Sequence, residues 1–243
     1  MRISNPAGFV DSRSVKYSVL PRLPVIVEQP LSDWIAEGES ATLRVDVDHR
    51  SGTTYQWYKG HAGITTNPVS STSSSLSLNS FSAGEHMYWV RVTNPDGFTD
   101  SVNATIHVSP STFSSWLTKE GLPEDETGDG NPTLSVLDDG FPNLIRYLLG
   151  ADSQEQIRNT ERLSHGLIEV GDQVYFSLQF TELKGATDAT LHIEESSDLL
   201  SWTETAVLIS AVDNGDGTVT YIYRYSGIMG TDKGFLRLRA SKP

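Results

Sequence analysis

Short stretches of alternating apolar and polar residues recur along most of this chain. In SATLRVDV, Ala41, Leu43, Val45 and Val47 alternate with polar partners. Successive side chains of an extended chain leave on opposite faces, so this pattern predicts a half-buried strand. TTYQWYKG carries Trp57 at its centre, and SSSLSLNS carries Leu76 and Leu78 two apart. HMYWVRVTNPDG and DSVNATIHV make a hairpin that turns at Asn94 to Gly97. From Gly166 the alternation returns in DQVYFSLQFTE, DATLHIEES, TETAVLISAV, GTVTYIYRY and GFLRLRA, with Trp202 between the second and third. The DNGDGT turn at 213–218 holds Asn-Gly and Asp-Gly, the residues that tight hairpins select.

Between these two β-rich regions the period changes. Ser111 or Thr112 can cap a short helix with Phe113, Trp116 and Leu117 on one side, stopped at Gly121. Pro142 to Leu149 reads as a second helix, with Leu144, Ile145, Leu148 and Leu149 apolar, Pro142 in its first turn and Gly150 as its C-terminal cap. The expected class is all-β: a first sandwich and a C-terminal antiparallel β-sandwich, joined by a short two-helix acidic linker. Residues 118–160 hold nine acids against three bases.

The chain of 243 residues is 37% hydrophobic and 20% charged, enough to bury cores. Its formal net charge of −13 repels phosphate backbones and anionic lipid, so nucleic acid is excluded as a partner. With no cysteine, disulfides, thiolate metal sites and a cysteine nucleophile are excluded. MRISNPAGFV lacks the apolar core of a secretory signal, and no apolar run approaches the roughly 20 residues of a membrane span, so no membrane insertion is expected.

RISNPAGFVDS at 2–12 and RVTNPDGFTDS at 91–101 match at seven of eleven positions, at an offset of 89. A repeat of that period suggests tandem domains. Residues 1–20 are then expected to be the remnant hairpin of a preceding domain, with 21–24 as a linker.

The region 22–109 resembles an immunoglobulin-like domain. Val45, Trp57 and the pair Tyr88–Val90 stand where that family has its strand-B cysteine, its strand-C tryptophan, and the tyrosine two residues before its strand-F cysteine. The two valines are expected to fill the space of the absent disulfide. If Tyr88, Val90 and Val92 face inward, Trp89 and Arg91 face outward beside Tyr58. Those three residues are the candidate ligand or interface patch, with the composition of interface hot spots and sugar-stacking platforms, unless a neighbouring domain or loop covers them.

Residues 110–160 and 161–243 resemble the C-terminal parts of large modular exported proteins of planctomycete and verrucomicrobial bacteria. The resemblance rests on GFPNLIRYLLG (Gly140 to Gly150), the run from Glu194 to Trp202, the turn from Asn214 to Thr218 and the closing FLRLR of Phe235 to Arg239. It implies an Asp-rich calcium loop in the linker. This copy departs from the loop chemistry, which wants oxygen ligands at positions 1, 3 and 5, Gly at 6 and Glu at 12. With Gly140 at position 6, position 3 is Leu137, position 5 is Asp139 and position 12 is Arg146; with Gly130 there, Asp125 and Asp129 fit, but position 12 is Val136. Asp125, Asp129, Asn131, Asp138 and Asp139 either share one irregular, weak calcium site or form a solvated acidic turn. Arg146 paired with Asp138 or Asp139 is the expected substitute for the ion. No other cofactor is implied.

Nothing suggests catalysis. His49, His61, His86, His107, His165 and His192 are scattered, and neither a zinc-protease, serine-hydrolase, P-loop nor dinucleotide motif occurs. His107 and His192 read as solvent-facing strand residues. Glu194 and Glu195 are adjacent in a strand and face apart, which is wrong for an acid/base pair. The expected function is a non-catalytic, extracellular or cell-surface structural and adhesion module of a larger protein. Its partners are the other domains of that protein and a cell-surface protein or glycan. The alternative is a carbohydrate-binding module of a polysaccharide-degrading system.

Overall fold

The computed structural model describes the chain except residues 19, 49–51, 158–161, 229 and 231–232; His49 lies outside the described residues. At the N-terminus, β1 (Arg2–Asn5) and β2 (Gly8–Asp11) form a hairpin whose residues are all exposed. The next unit contains β3 (Ile26–Glu28), β4 (Asp33–Ala36), β5 (Ala41–Arg44), β6 (Asp46–Val47), β7 (Thr54–Lys59), β8 (Ser75–Leu78), β9 (Gly84–Asn94), β10 (Gly97–Asp100) and β11 (Ala104–Ser109).

Long β9 organises the first sandwich. It pairs antiparallel with β7, β10 and β11, and β11 continues in parallel to β4. The opposite layer is made of the pairs β5–β8 and β3–β6. This partition, with the strand before Val45 in one layer and the Trp57 and Tyr88 strands in the other, is that of an immunoglobulin-like sandwich. Trp57, Val45, Val90 and Tyr88 all lie in one buried cluster between the layers. The valines therefore occupy the inter-sheet space with Trp57, whose Nε1 donates to the Ser73 carbonyl at 2.8 Å. The single strand expected over SATLRVDV is two: at Val45 the chain leaves β8 as a strand partner, and β6 pairs with β3. Strands β3 and β4 were not legible in the alternation, because β3 buries no residue and β4 buries only Ile35.

The repeat is one of chemistry as well as of letters. Arg2 lies opposite Asp11 as Arg91 lies opposite Asp100. Both arginines donate two hydrogen bonds to their carboxylate, at 2.7 and 2.7 Å in the first hairpin and 2.7 and 2.8 Å in the second. Each guanidinium carbon stands 4.0 Å from the centre of a phenylalanine ring, Phe9 and Phe98.

Helix α1 (Phe113–Glu120) starts at Thr112, whose side chain accepts from Ser115 N–H, and ends on left-handed Gly121. A 3₁₀ turn (Gly128–Gly130) and helix α2 (Asn143–Leu148) follow. The sheet strands are β12 (Leu163–Val170), β13 (Gln173–Leu183), β14 (Thr190–Ser196), β15 (Val207–Asp213), β16 (Thr218–Arg224) and β17 (Phe235–Ser241). A four-stranded sheet, β12–β13–β16–β15, faces the pair β14–β17 across a core with Phe180, Tyr221 and Tyr223 on one side and Leu191, Ile193 and Leu238 on the other. Of these strands only β12 was unforeseen. Gly166 and His165 break its alternation, and β12 takes its conformation from eight-residue pairing with β13.

Both adjacent glutamates of β14 are buried. Glu195 accepts from the Ser226 N–H at 2.9 Å, and from the hydroxyls of Ser226 and Thr205. Glu194 receives Nε of Arg239 and of Arg237, each at 2.7 Å. Hydrogen bonding from Arg239, then from Arg237, outweighs burial and holds the Glu194 carboxyl below the usual range. A depressed carboxylate pKa adds stability above the unfolded value, about 4.3, and that contribution is lost as pH falls through the folded value. Glu194→Gln is expected to lower stability at pH 7 by about 1–2 kcal/mol. Urea unfolding at pH 7 and pH 3 checks it: the gap should close in acid, and an equal gap at both pH values would refute the ionic account.

Candidate functional site

The strand alternation brings Tyr58, Trp89 and Arg91 together, but it does not leave them open. β9 sends Tyr88, Val90 and Val92 into the core, and Trp89 to the opposite face beside its cross-strand partner Tyr58. The two rings stack at 4.6 Å and 16°. The Arg91 guanidinium, pinned by Asp100, stands 5.6 Å from the Trp89 ring. Trp89 is 0% exposed. The expected exposed patch is thereby corrected. An indole lying flat under a tyrosine offers no face for a ligand, and the alternation showed only which side of the sheet it is on.

In the acidic loop, the candidate ligands are occupied locally. Asp125 accepts from Thr127 N–H and Oγ1 at 3.2 and 2.7 Å, and Asn131 Oδ1 accepts from Thr133 N–H and Oγ1 at 2.9 and 2.8 Å. The carbonyls of Asp129 and Asn131 accept from Asn143 Nδ2 at 2.7 and 3.0 Å. Gly130 must be glycine, because a Cβ there would sit 2.2 Å from the Pro123 carbonyl oxygen. Asp138 is exposed and left-handed, with φ 51°. Asp139 turns inward instead, accepting from Ser135 Oγ at 2.8 Å, Phe141 N–H at 3.0 Å and Arg146 Nη2 at 2.6 Å. Burial by itself would raise its pKa; these donors, Arg146 foremost, outweigh it and hold the carboxyl low. The five candidates do not converge: among the described residues no three carboxylate or imidazole groups are placed to hold a metal ion. The cation at loop position 12 faces the carboxylate at position 5, with Arg146 0% and Asp139 7% exposed at the side chain.

A third place was not flagged by the sequence. Trp34 on β4 is the cross-strand partner of His107 on β11, which is the partner of Glu85 on β9. The Trp34 and His107 rings stack at 4.0 Å and 14°, and His107 Nδ1 is 3.3 Å from a Glu85 oxygen. His107 is therefore engaged on both sides and not simply turned to solvent. Against this row lies the turn between β15 and β16. A Cβ on Gly217 would stand 2.8 Å from Ser109 Oγ and 3.8 Å from Trp34, and one on Gly185 would stand 2.9 Å from Ala36. Between the two units remains a cleft of about 310 Å³, lined on one side by Trp34, Glu85 and His107 and on the other by Asp152 and Asp216. The only signal of it in the sequence was an unassigned tryptophan in an edge strand.

No protein-family model and no curated protein matches the chain. Solved structures of similar parts exist. They include titin M4, at 18% identity, covering 37% of this chain and 99% of that one with a TM-score of 0.30. The tandem Ig repeats of Dlar match at 17% identity over 36% of this chain and 48% of theirs, with a TM-score of 0.31. The PKD domain from human KIAA0319 matches at 15% identity over 41% of this chain and 93% of its own, with a TM-score of 0.31. At such values the fold assignment rests on the strand pairing itself.

Proposed function

We propose that the chain is a non-catalytic structural and adhesion module of a larger extracellular or cell-surface protein. In it an immunoglobulin-like domain (22–109) is held in a fixed pose on a C-terminal β-sandwich unit. The observation that carries this reading is the fate of the linker. Phe113, Trp116 and Leu117 of α1 share a buried cluster with Leu144, Tyr147 and Leu148 of α2 and with Leu183 of β13. Helices α1 and α2 therefore pack with β13 in one core, which supports reading them as part of the C-terminal unit and not as a tether.

The joint is also hydrogen-bonded. Asp188 accepts from the Phe113 N–H at 3.0 and 3.1 Å, capping α1 from the C-terminal unit. The Ser111 carbonyl accepts from Thr187 N–H and Oγ1, both at 2.9 Å, and the Ser111 hydroxyl donates to the Glu37 carboxylate of the first sandwich at 3.4 Å, which links the two units. A pose fixed this way suits a spacer that presents neighbouring domains, and the acidic surface suits solubility and repulsion between copies. Partners are other domains of the parent protein and a surface protein or glycan. Calcium binding, if present, is weak, because a guanidinium already faces the inward carboxylate.

Small-angle scattering checks the joint. The wild-type curve is expected to fit one conformation, and Gly217→Val, which forces a branched side chain against Ser109, is expected to broaden it. A wild-type curve that needs an ensemble of domain poses would overturn the proposal.

A further inference from the structure

We propose that the Lys16–Tyr17 peptide bond is a processing site for a trypsin-like serine protease, whose cut frees residues 17–243 in one piece. The site is independent of the joint between the two units and goes beyond the spacer reading.

Residues 13–18 lie between two fixed points. Before them, the hairpin closes with the Ser12 N–H donating to the Met1 carbonyl at 2.8 Å. After them, the turn between β9 and β10 clasps the chain. Asp96 accepts from the Arg22 N–H at 3.1 Å, Asn94 Nδ2 donates to the Arg22 carbonyl at 2.8 Å, and Thr99 Oγ1 donates to the Pro24 carbonyl at 2.7 Å. Gly97 leaves room for Leu23, since a Cβ there would stand 2.5 Å from its Cδ2. Between these points residues 13–18 belong to no strand or helix, and all are exposed, Val15 at 86% and Tyr17 at 84%. Among the described residues they make no hydrogen bond or ion pair.

A protease takes its substrate as an added strand, so the substrate backbone must first be free of its own bonds. A cut in a paired strand waits for local unfolding, and one at residues 13–18 does not. The chemistry of the segment selects the protease. A trypsin-like pocket pairs lysine or arginine with a carboxylate, and no acid lies between Asp11 and Glu28 to compete for the cation. Of the three basic residues there, two are hindered. Arg13 follows Asp11 and Ser12, which the hairpin holds. Arg22–Leu23 is in the clasp. Lys16 has free neighbours on both sides. Elsewhere outside the strands and helices, the Lys184 N–H donates to the Gly217 carbonyl and the Arg162 carbonyl accepts from the Thr181 N–H, each at 2.9 Å, and the Lys233 carbonyl accepts from the Tyr225 hydroxyl at 3.4 Å. Arg50 and Arg158 lie outside the described residues. Hydrolysis adds water across the amide and leaves a carboxylate on Lys16 and an ammonium on Tyr17. The fragment 17–243 keeps the clasp, because Arg22 to Pro24 stay with it, and loses only a hairpin whose residues are all exposed.

The test digests the full chain with dilute trypsin in the cold and follows fragment masses with time. Residues 17–243 are expected to appear at least about tenfold faster than the product of any other cut, and then to persist. Lys16→Gln should remove this product and leave a slower one from Arg13. The double variant Asn94→Ala with Thr99→Val should open the clasp and add a cut after Arg22. A first cut at any other lysine or arginine, Lys16→Gln digested as fast as wild type, or a clasp variant with no new cut overturns the inference. None of these outcomes touches the fixed joint, which scattering tests separately.

Discussion

Arg146→Met is expected to destabilise the C-terminal unit by about 3–5 kcal/mol, the range for removing one partner of a buried ion pair. Its guanidinium is fully buried, and it donates to the Asp139 carboxylate and to the Glu155 carbonyl. Methionine fills much of the volume but leaves Asp139, 7% exposed at the side chain, without its counter-charge. The second substitution Asp139→Asn should therefore recover part of the loss, since the double variant buries no charge. Strict additivity in this cycle, read by urea unfolding, would show that the pair is not coupled. Calcium enters the same experiment. If the guanidinium stands in for the ion, millimolar calcium leaves wild-type stability unchanged. A micromolar site abolished by Asp129→Ala or Asp139→Ala would refute that substitution.

Trp116→Ala is expected to cost about 3–5 kcal/mol, as for other large aromatic truncations in packed cores. Trp116 is 1% exposed, stacks with Phe113 at 5.6 Å and donates from Nε1 to the Ala151 carbonyl at 3.0 Å. Truncation loses the packing, leaves a cavity and strips that carbonyl of a donor. The damage should stay local, because the first sandwich has its own core around Trp57, and the cluster around Trp116 includes none of its residues. Calorimetry is expected to show the C-terminal transition lowered by roughly 10 °C, with the other transition unmoved. An equal shift of both would show that the units melt as one body.

The chain's letters carry the local rules in full. Period-two alternation placed β5, β7, β8, β9 and β11 and all five strands after β12, because side-chain direction in a strand depends only on the backbone; it missed β10, the strand that the Asn94–Gly97 turn leads into. Ser111 or Thr112 at one end and Gly121 at the other were readable as helix boundaries, since capping needs a hydroxyl at one end and a left-handed residue at the other, and the structure selects Thr112. An ion pair of Arg146 with Asp138 or Asp139 was readable from the sequence, and the fold selects Asp139. The valine pair beside Trp57 was readable once its spacing was seen.

What covers a face is not a local property. The alternation put Trp89 on the outer side of β9, but the Tyr58 ring stacked on it and Arg91 held by Asp100 decide that it is buried. Helix α1 was amphipathic in the sequence; that its apolar side joins β13 and not the first sandwich is decided by packing. The cleft at Trp34 combines residues about 70 to 180 positions apart. No window of the sequence contains both walls, so only the tertiary structure could bring the indole, the His107 ring and the Gly217 turn together.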